Sequence, residues 1–287
     1  MDKAPAIGID SGTWNCYAAV YQNSQVKIIP NEFGREKTPS FVSFTETETL
    51  IGKAAKNQIE KNPKNTIFGV TRLIGRKFWE IERNKLFPFN AKIEEDKVKF
   101  KATNGNEYFP EDIFSILLRN LKKNTSEFLG KEVKEAVIAV PNYFGLLQKK
   151  QLEITACKAG LNIIKVIDSS TAAGLACIYD SRQITSTYTI IAIDLGGGIL
   201  NVGLYVSEDG LLECISKNGN INLGGQDFDN RIIEYCEGEF RRKTGINIKS
   251  NIKAKGKLIN TCEKTKKMLS SSTQTSILVK ICVKEKI

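Results

Sequence analysis

The stretch Ile190–Val206, IIAIDLGGGILNVGLYV, constrains this chain more than any other: an apolar run ends in Asp194, three glycines follow, and a second apolar run leaves. Strand, tight turn, strand is the expected conformation, with Gly196, Gly197 and Gly198 bending the backbone. A turn without Cβ atoms lets backbone N–H groups approach an anion closely. A carboxylate at the end of the first strand is placed to hold hydrated Mg²⁺ beside a phosphate. The arrangement occurs once more, 184 positions earlier. In Ala6–Tyr21, AIGIDSGTWNCYAAVY, an apolar run ends in Asp10 and a turn with Gly12 and Thr13 follows. Both copies continue into a polar turn (Asn23–Ser24, Asp209–Gly210) and a third short strand (Val26–Ile29, Leu211–Ser216). A single hairpin of this kind is an ordinary surface turn. The matched pair predicts a duplicated unit, with two hairpins facing each other across a cleft.

The chain has 287 residues, 41% hydrophobic and 26% charged, the balance of a water-exposed globular protein with a substantial core. The start, MDKAPAIGID, has no signal-peptide apolar region, and no run is long enough to span a bilayer, so a cytoplasmic location is expected, with the nucleus also open. Net charge is +10, but the lysines are scattered and lack interleaved aromatics, which argues against nucleic acid as a partner. The seven cysteines form no C-x-x-C and histidine is absent, so zinc-finger sites and His-dependent triads are excluded. Cys157, Cys177 and Cys262 fall in helical patterns and are expected as small core residues.

The pattern along the chain is that of an α/β layer structure. Lys53–Asn62 reads as a helix stopped by Pro63, and Phe41–Phe44 with Leu50–Ile51 as a hairpin. Weak alternation over Glu80–Tyr108 suggests a small sheet, so residues from about 41 to 109 form an inserted subdomain. Pro110 opens a helix with Ile113, Ile116, Leu117, Leu121 and Phe128 on one face, ending at Gly130. Strand (Glu135–Val140), helix (Leu147–Ala159), strand (Asn162–Ile167) and helix (Thr171–Tyr179) follow. The second half repeats the three opening strands from Tyr188. Gly224 and Gly225 then lead into an amphipathic helix through Phe228, Ile233 and Phe240, a basic helix spans Lys253–Leu269, and Thr275–Val283 alternates like a strand. Judged by the first half, the expected division is a lobe at 1–183 and a partial second lobe at 184–287.

The motifs IGIDSGT, RLIGRKF, AVIAVPNYF, IAIDLGGG, LGGQDFDNR and CEKTKKMLSSSTQ resemble the nucleotide-binding domain of the seventy-kilodalton heat-shock chaperone family, here divergent and C-terminally truncated. The resemblance implies the actin-like ATPase fold, of the duplicated ribonuclease-H-like kind, with two lobes around a cleft for ATP or ADP, Mg²⁺ and K⁺. It implies J-domain co-chaperones and nucleotide-exchange factors as partners, with neither nucleic acid nor membrane among them. Asp10 and Asp194 match the aspartates that orient Mg²⁺. Gly12, Thr13, Trp14 and Asn15 occupy the first phosphate loop, and Gly196, Gly197 and Gly198 the second. Gly224 and Gly225 match the turn into the outer second lobe, and Glu263, Lys266, Lys267 and Ser270 the helix that packs on adenosine.

The departures fall where the family's chemistry is done. Thr71 stands in place of the catalytic lysine, Ser169 of a glutamate, Ile199 of a threonine and Asn201 of a cation-binding aspartate. Trp14 and Asn15 replace threonine and tyrosine, and the indole is expected to crowd the phosphates. Asp194 is then the one catalytic candidate retained. Losing one preorganised charge typically costs about two to three decades in rate, so several together leave little turnover. Three readings result: an ATPase-type domain that binds nucleotide with hydrolysis impaired or lost, a pseudo-ATPase interaction module for chaperone partners, or a non-functional truncated product. A sugar kinase or an actin-like filament protein shares the fold but lacks the RLIGRKF and SSSTQ stretches.

Overall fold

In the computed structural model, the residues described are 4–76, 89, 91–94, 97–103, 105–181, 187–248 and 251–278. The opening hairpin pairs β1 (Ile7–Asp10) antiparallel with β2 (Asn15–Gln22), and β3 (Gln25–Ile28) continues the meander. The turn between β2 and β3 puts Asn23 and Ser24 at φ 52° and 58°. Paired left-handed residues match the twist of a tight hairpin, which is why the sequence has Asn there. A short β4 (Thr38–Pro39) adds to β2.

Next come β5 (Phe41–Phe44), β6 (Thr49–Ile51), α1 (Gly52–Lys56) and β7 (Thr66–Phe68), with β5 central in a three-stranded sheet. The helix expected over Lys53–Asn62 is only five residues long. Beyond it the chain runs in turns, and the Asn62 side chain donates to the Phe44 carbonyl at 2.8 Å. Val70–Arg72 forms a single 3-10 turn, and Lys77 and Phe78 of the RLIGRKF motif lie outside the described residues. The small sheet expected before Tyr108 consists of β8 (Ala91–Glu94), β9 (Lys97–Lys101) and β10 (Glu107–Tyr108); residues 80–88 of that stretch are not described.

Helix α2 (Pro110–Leu129) buries Ile113, Phe114, Leu117, Leu118 and Leu121 and ends where Gly130 takes φ 63°. Parallel strands β11 (Glu135–Val140) and β12 (Asn162–Asp168) flank α3 (Leu146–Lys158) and complete the larger sheet in the order β12-β11-β1-β2-β3. Helix α4 (Ser169–Ser181) leads to the second meander, β13 (Tyr188–Leu195), β14 (Leu200–Glu208) and β15 (Leu211–Asn220). Helices α5 (Gly225–Thr244) and α6 (Ile252–Met268) pack on one another. No strand forms over Thr275–Leu278, and the rest of the expected strand lies outside the described residues.

The two hairpins are the same device. Asp10 pairs with Tyr17 and Asp194 with Asn201, each aspartate facing the residue seven positions on. The second meander also turns through left-handed residues, Asp209 at φ 48° and Gly210 at φ 78°. Two cysteine expectations fail: Cys157 and Cys177 are exposed, because they lie on the outward faces of α3 and α4, whereas Cys262 is buried. Among the described residues, no helix is long and apolar enough to cross a membrane.

Candidate functional site

The turns of the two hairpins meet. They line one cavity of about 270 Å³ together with Ser11, Tyr17, Pro141, Ser169, Ile199 and Asn201. Asp10, Gly12, Thr13, Trp14 and Asn15 form one wall, and Asp194, Gly196, Gly197 and Gly198 the other. Glycine is required where the walls touch. A Cβ on Gly197 would stand 2.5 Å from that of Trp14, one on Gly198 2.6 Å from the Thr13 methyl, and one on Gly224 2.5 Å from the Gly198 backbone. The N-terminus of α5 is stacked on the second loop: Gly225 N–H donates to the Gly196 carbonyl at 2.9 Å and Gln226 N–H to the Gly197 carbonyl at 2.6 Å. The positive end of that helix dipole therefore faces the loop, a favourable setting for an anion.

The charges in the cavity are negative. Burial first, and the charge of Asp194 second, push the Asp10 carboxyl up to about 6. Among the described residues, no lysine or arginine lines the cavity. Two crowded carboxylates with no cation beside them suit a hard divalent ion that keeps part of its water shell. Among the described residues no group of three or more His, Cys, Asp or Glu would strip that shell. Mg²⁺ held by Asp10 and Asp194 fits this donor set, and it would supply the positive charge that a phosphate needs there.

Three of the four substituted positions hydrogen-bond within the protein, and the fourth is a buried apolar side chain. Thr71 is 2% exposed and its hydroxyl donates to Thr13 Oγ1 at 3.1 Å, behind the cavity wall. The Ser169 hydroxyl is spent on the Val140 carbonyl at 3.0 Å. Ile199 is buried and apolar. Asn201 accepts from the Asn142 N–H at 2.9 Å and donates to Asp194 Oδ2 at 3.0 Å, so a carboxamide braces the carboxylate. Arg72 lies nearby but does not line the cavity: it donates to the Gly198 carbonyl and pairs with Asp227 at 3.0 Å.

The remaining expected residues sit outside the cavity. Glu263 takes Trp14 Nε1–H at 2.9 Å and Lys267 at 2.5 Å on one oxygen, and Lys56 at 2.6 Å on the other. Burial alone would raise its carboxyl, but Lys56 and Lys267 outweigh burial and hold it at about 2. Lys266 is bound to the Gly225 carbonyl at 2.5 Å and to Asp229 at 2.8 Å. Ser270 follows α6 on the surface and is not brought to the cavity. The expectation that the Trp14 indole crowds the phosphates is corrected in direction. The ring turns away, edge-on to Phe41 at 5.1 Å and to Phe68 at 5.5 Å between ring centres.

Sequence reasoning did not find Lys56, Asn142 or Asp168. Asp168 ties Lys149 of α3, at 2.8 Å, to Lys217 of β15. Burial would raise the Asp168 carboxyl, but hydrogen bonds from the two lysines lower it. Asn142 falls inside the AVIAVPNYF motif, but the contacts that give these three residues their roles are with partners distant in the chain.

A family model described as Hsp70 protein matches residues 6–286. The chain is 41% identical to "Heat shock 70 kDa protein 2" of Paracoccidioides lutzii over 281 residues, which is 96% of this chain and 43% of that one. It is 40% identical to the "Ribosome-associated molecular chaperone SSB" of Candida glabrata, over 96% of this chain and 46% of that one. It is 38% identical to the human "Putative heat shock 70 kDa protein 7", over 95% of this chain and 76% of that one. The chain thus spans less than half the length of the first two relatives.

Proposed function

The chain belongs to the Hsp70 protein family, whose fold is the actin-like ATPase fold, and from that premise we propose that its cleft binds the phosphates of ATP or ADP with Mg²⁺ while hydrolysis is impaired or lost. The observation that carries this reading is the meeting of Asp10, Asp194 and both glycine loops in one cavity with no cationic side chain on its walls among the described residues. Binding then depends on the metal, since two carboxylates repel a bare phosphate. The chain's own residues position: Asp10 and Asp194 hold the hydrated ion, Asn201 fixes the Asp194 carboxylate, and the loops present backbone to the phosphate oxygens. None of Thr71, Ser169 or Ile199 carries a charge to stabilise phosphoryl transfer. Loss of one such group costs about two to three decades in rate.

On this reading residues 1–183 form one lobe, with an inserted subdomain at about 41–109, and residues 184–287 belong to a second. Chaperone activity in the cytoplasm, with J-domain co-chaperones and nucleotide-exchange factors as partners, is the role proposed for the chain. Calorimetric titration of ADP and ATP with Mg²⁺ and with EDTA, alongside phosphate release, tests the proposal. Binding that vanishes in EDTA, with turnover at least about two decades below that of a working relative, is expected. Binding indifferent to EDTA, or turnover matching the relative, overturns it.

The locked state of the substituted side chains favours a second reading, a pseudo-ATPase that docks the same partners whatever nucleotide is present. Capture of a J-domain partner or exchange factor to equal extent in ADP and in EDTA supports that reading. Strict nucleotide dependence excludes it.

A further inference from the structure

Trp14 has a face on each of two sites. Trp14 is one of the residues lining the cavity, and its Cβ would stand 2.5 Å from a Cβ on Gly197. Trp14 is 7% exposed as a residue, and its indole packs edge-on against Phe41 and Phe68 with the Lys56 ammonium 4.9 Å from the ring centre. The far edge of the ring donates to Glu263 of α6. Trp14 lines the cavity and Glu263 does not, and the bond from the indole links the two.

The groups behind the ring are committed. Both Glu263 oxygens are taken by Trp14, Lys267 and Lys56, and the Lys266 ammonium by Gly225 and Asp229. Helix α6 is held down around the ring as well. Asn260 donates to Glu60 at 2.7 Å, and Gly256 rests against the Ile59 carbonyl with no room for a side chain. At about 270 Å³ the cavity is smaller than the roughly 300–1,000 Å³ usual for whole small-molecule ligands.

We infer that Trp14 is a specificity-determining residue: it seals the phosphate cavity from α6, so the site takes a magnesium-bound diphosphate group and draws no affinity from the nucleoside attached to it. The inference rests on the phosphate-binding reading of the same cavity. A nucleoside carried by such a diphosphate projects towards solvent. To reach α6 it has to displace the indole from its aromatic neighbours and from Glu263. Free pyrophosphate and the diphosphate of ADP are therefore equivalent ligands.

The test is calorimetric titration of the full chain, in Mg²⁺, with pyrophosphate and with ADP. Dissociation constants within about threefold of each other are expected, because the shared diphosphate supplies the contacts. ADP binding tenfold or more tighter than pyrophosphate in the unmodified chain overturns the role of Trp14 and leaves the phosphate site standing. Failure of both ligands to bind in Mg²⁺ overturns the phosphate site and this inference with it. Trp14→Thr opens the partition and is expected to favour ADP over pyrophosphate by about tenfold, one extra set of nucleoside contacts. Trp14→Phe keeps a ring between Phe41 and Phe68 and loses only the bond to Glu263, so its ratio stays near that of the unmodified chain. It serves where Trp14→Thr does not fold. An ADP preference appearing in Trp14→Phe overturns the assignment to the ring.

Discussion

Asn201 shows how one substitution changes what a site needs. Its carboxamide donates to Asp194 Oδ2 at 3.0 Å and is itself fixed by the Asn142 N–H at 2.9 Å. Asn201→Asp removes the donor and places a further carboxylate beside Asp194. It should destabilise the protein in EDTA by about 1–3 kcal/mol, the cost of a lost buried bond next to a charge. Mg²⁺ should restore most of the loss, read as a melting temperature that recovers with the metal. An equal fall with and without Mg²⁺ refutes the electrostatic account. Glu263 gives the pH counterpart. Its carboxyl is held at about 2, below the ordinary glutamate value of 4.5, so its stabilisation is full above pH 4.5 and is lost as pH falls towards 2. The shift corresponds to about 3 kcal/mol at most. Denaturant titrations between pH 6 and 3 should show that loss, and Glu263→Gln should flatten the curve over the same window. At this scale the sequence was legible only in part. Asp10 and Asp194 stand out because a strand and a glycine turn frame them, whereas the direction of the Trp14 indole depends on Glu263, 249 positions away.

The repeated hairpin was readable at the level of elements because its code is local: alternation, an aspartate, glycines, a left-handed turn. Strands β1, β2, β13 and β14 therefore came out near their expected bounds, and so did α2, α3, α5 and α6. The short α1 did not: beyond it the chain runs in turns, with Asn62 bonded to Phe44 of β5. Nor was the seat of α5 on the glycine loop legible, as it depends on two loops meeting. Gly224 and Gly238 separate these causes. A Cβ at Gly224 collides with the Gly198 backbone, whereas one at Gly238, in the middle of α5, meets nothing within 4 Å. Gly224→Ala should cost about 1–3 kcal/mol by forcing α5 off the loop. Gly238→Ala should add about 0.5–1 kcal/mol through helix propensity alone. Equilibrium unfolding of both variants measures the pair. Similar shifts in both would mean that α5 is not seated on the loop as described.

Across the whole molecule the two hairpins share a register but not a cover. Ile7 and Ile9 are 1% and 2% exposed within the main core, whereas their counterparts 184 positions on, Ile191 and Ile193, are 65% and 68% exposed. The backbone repeat is thus carried by the strands, and burial by what packs on them. Sequence periodicity reports the first and is blind to the second, because an isoleucine in an alternating strand reads the same whether or not a helix lies over it. The energetic consequence is asymmetric. Ile7→Thr opens space in a packed core and buries a hydroxyl there, and should cost about 2–3 kcal/mol. Ile191→Thr and Ile193→Thr together remove only side chains already in water, so stability should change by no more than about 0.5 kcal/mol per site while solubility rises. Amide hydrogen exchange should follow the same division, with β13–β15 exchanging well before β1, β2 and β11, since strands with one bare apolar face open at lower free energy. Equal protection of the two meanders, or a large loss of stability in the Ile191→Thr, Ile193→Thr double variant, would mean that the second face is covered in solution and that its exposure is not a property of the folded chain.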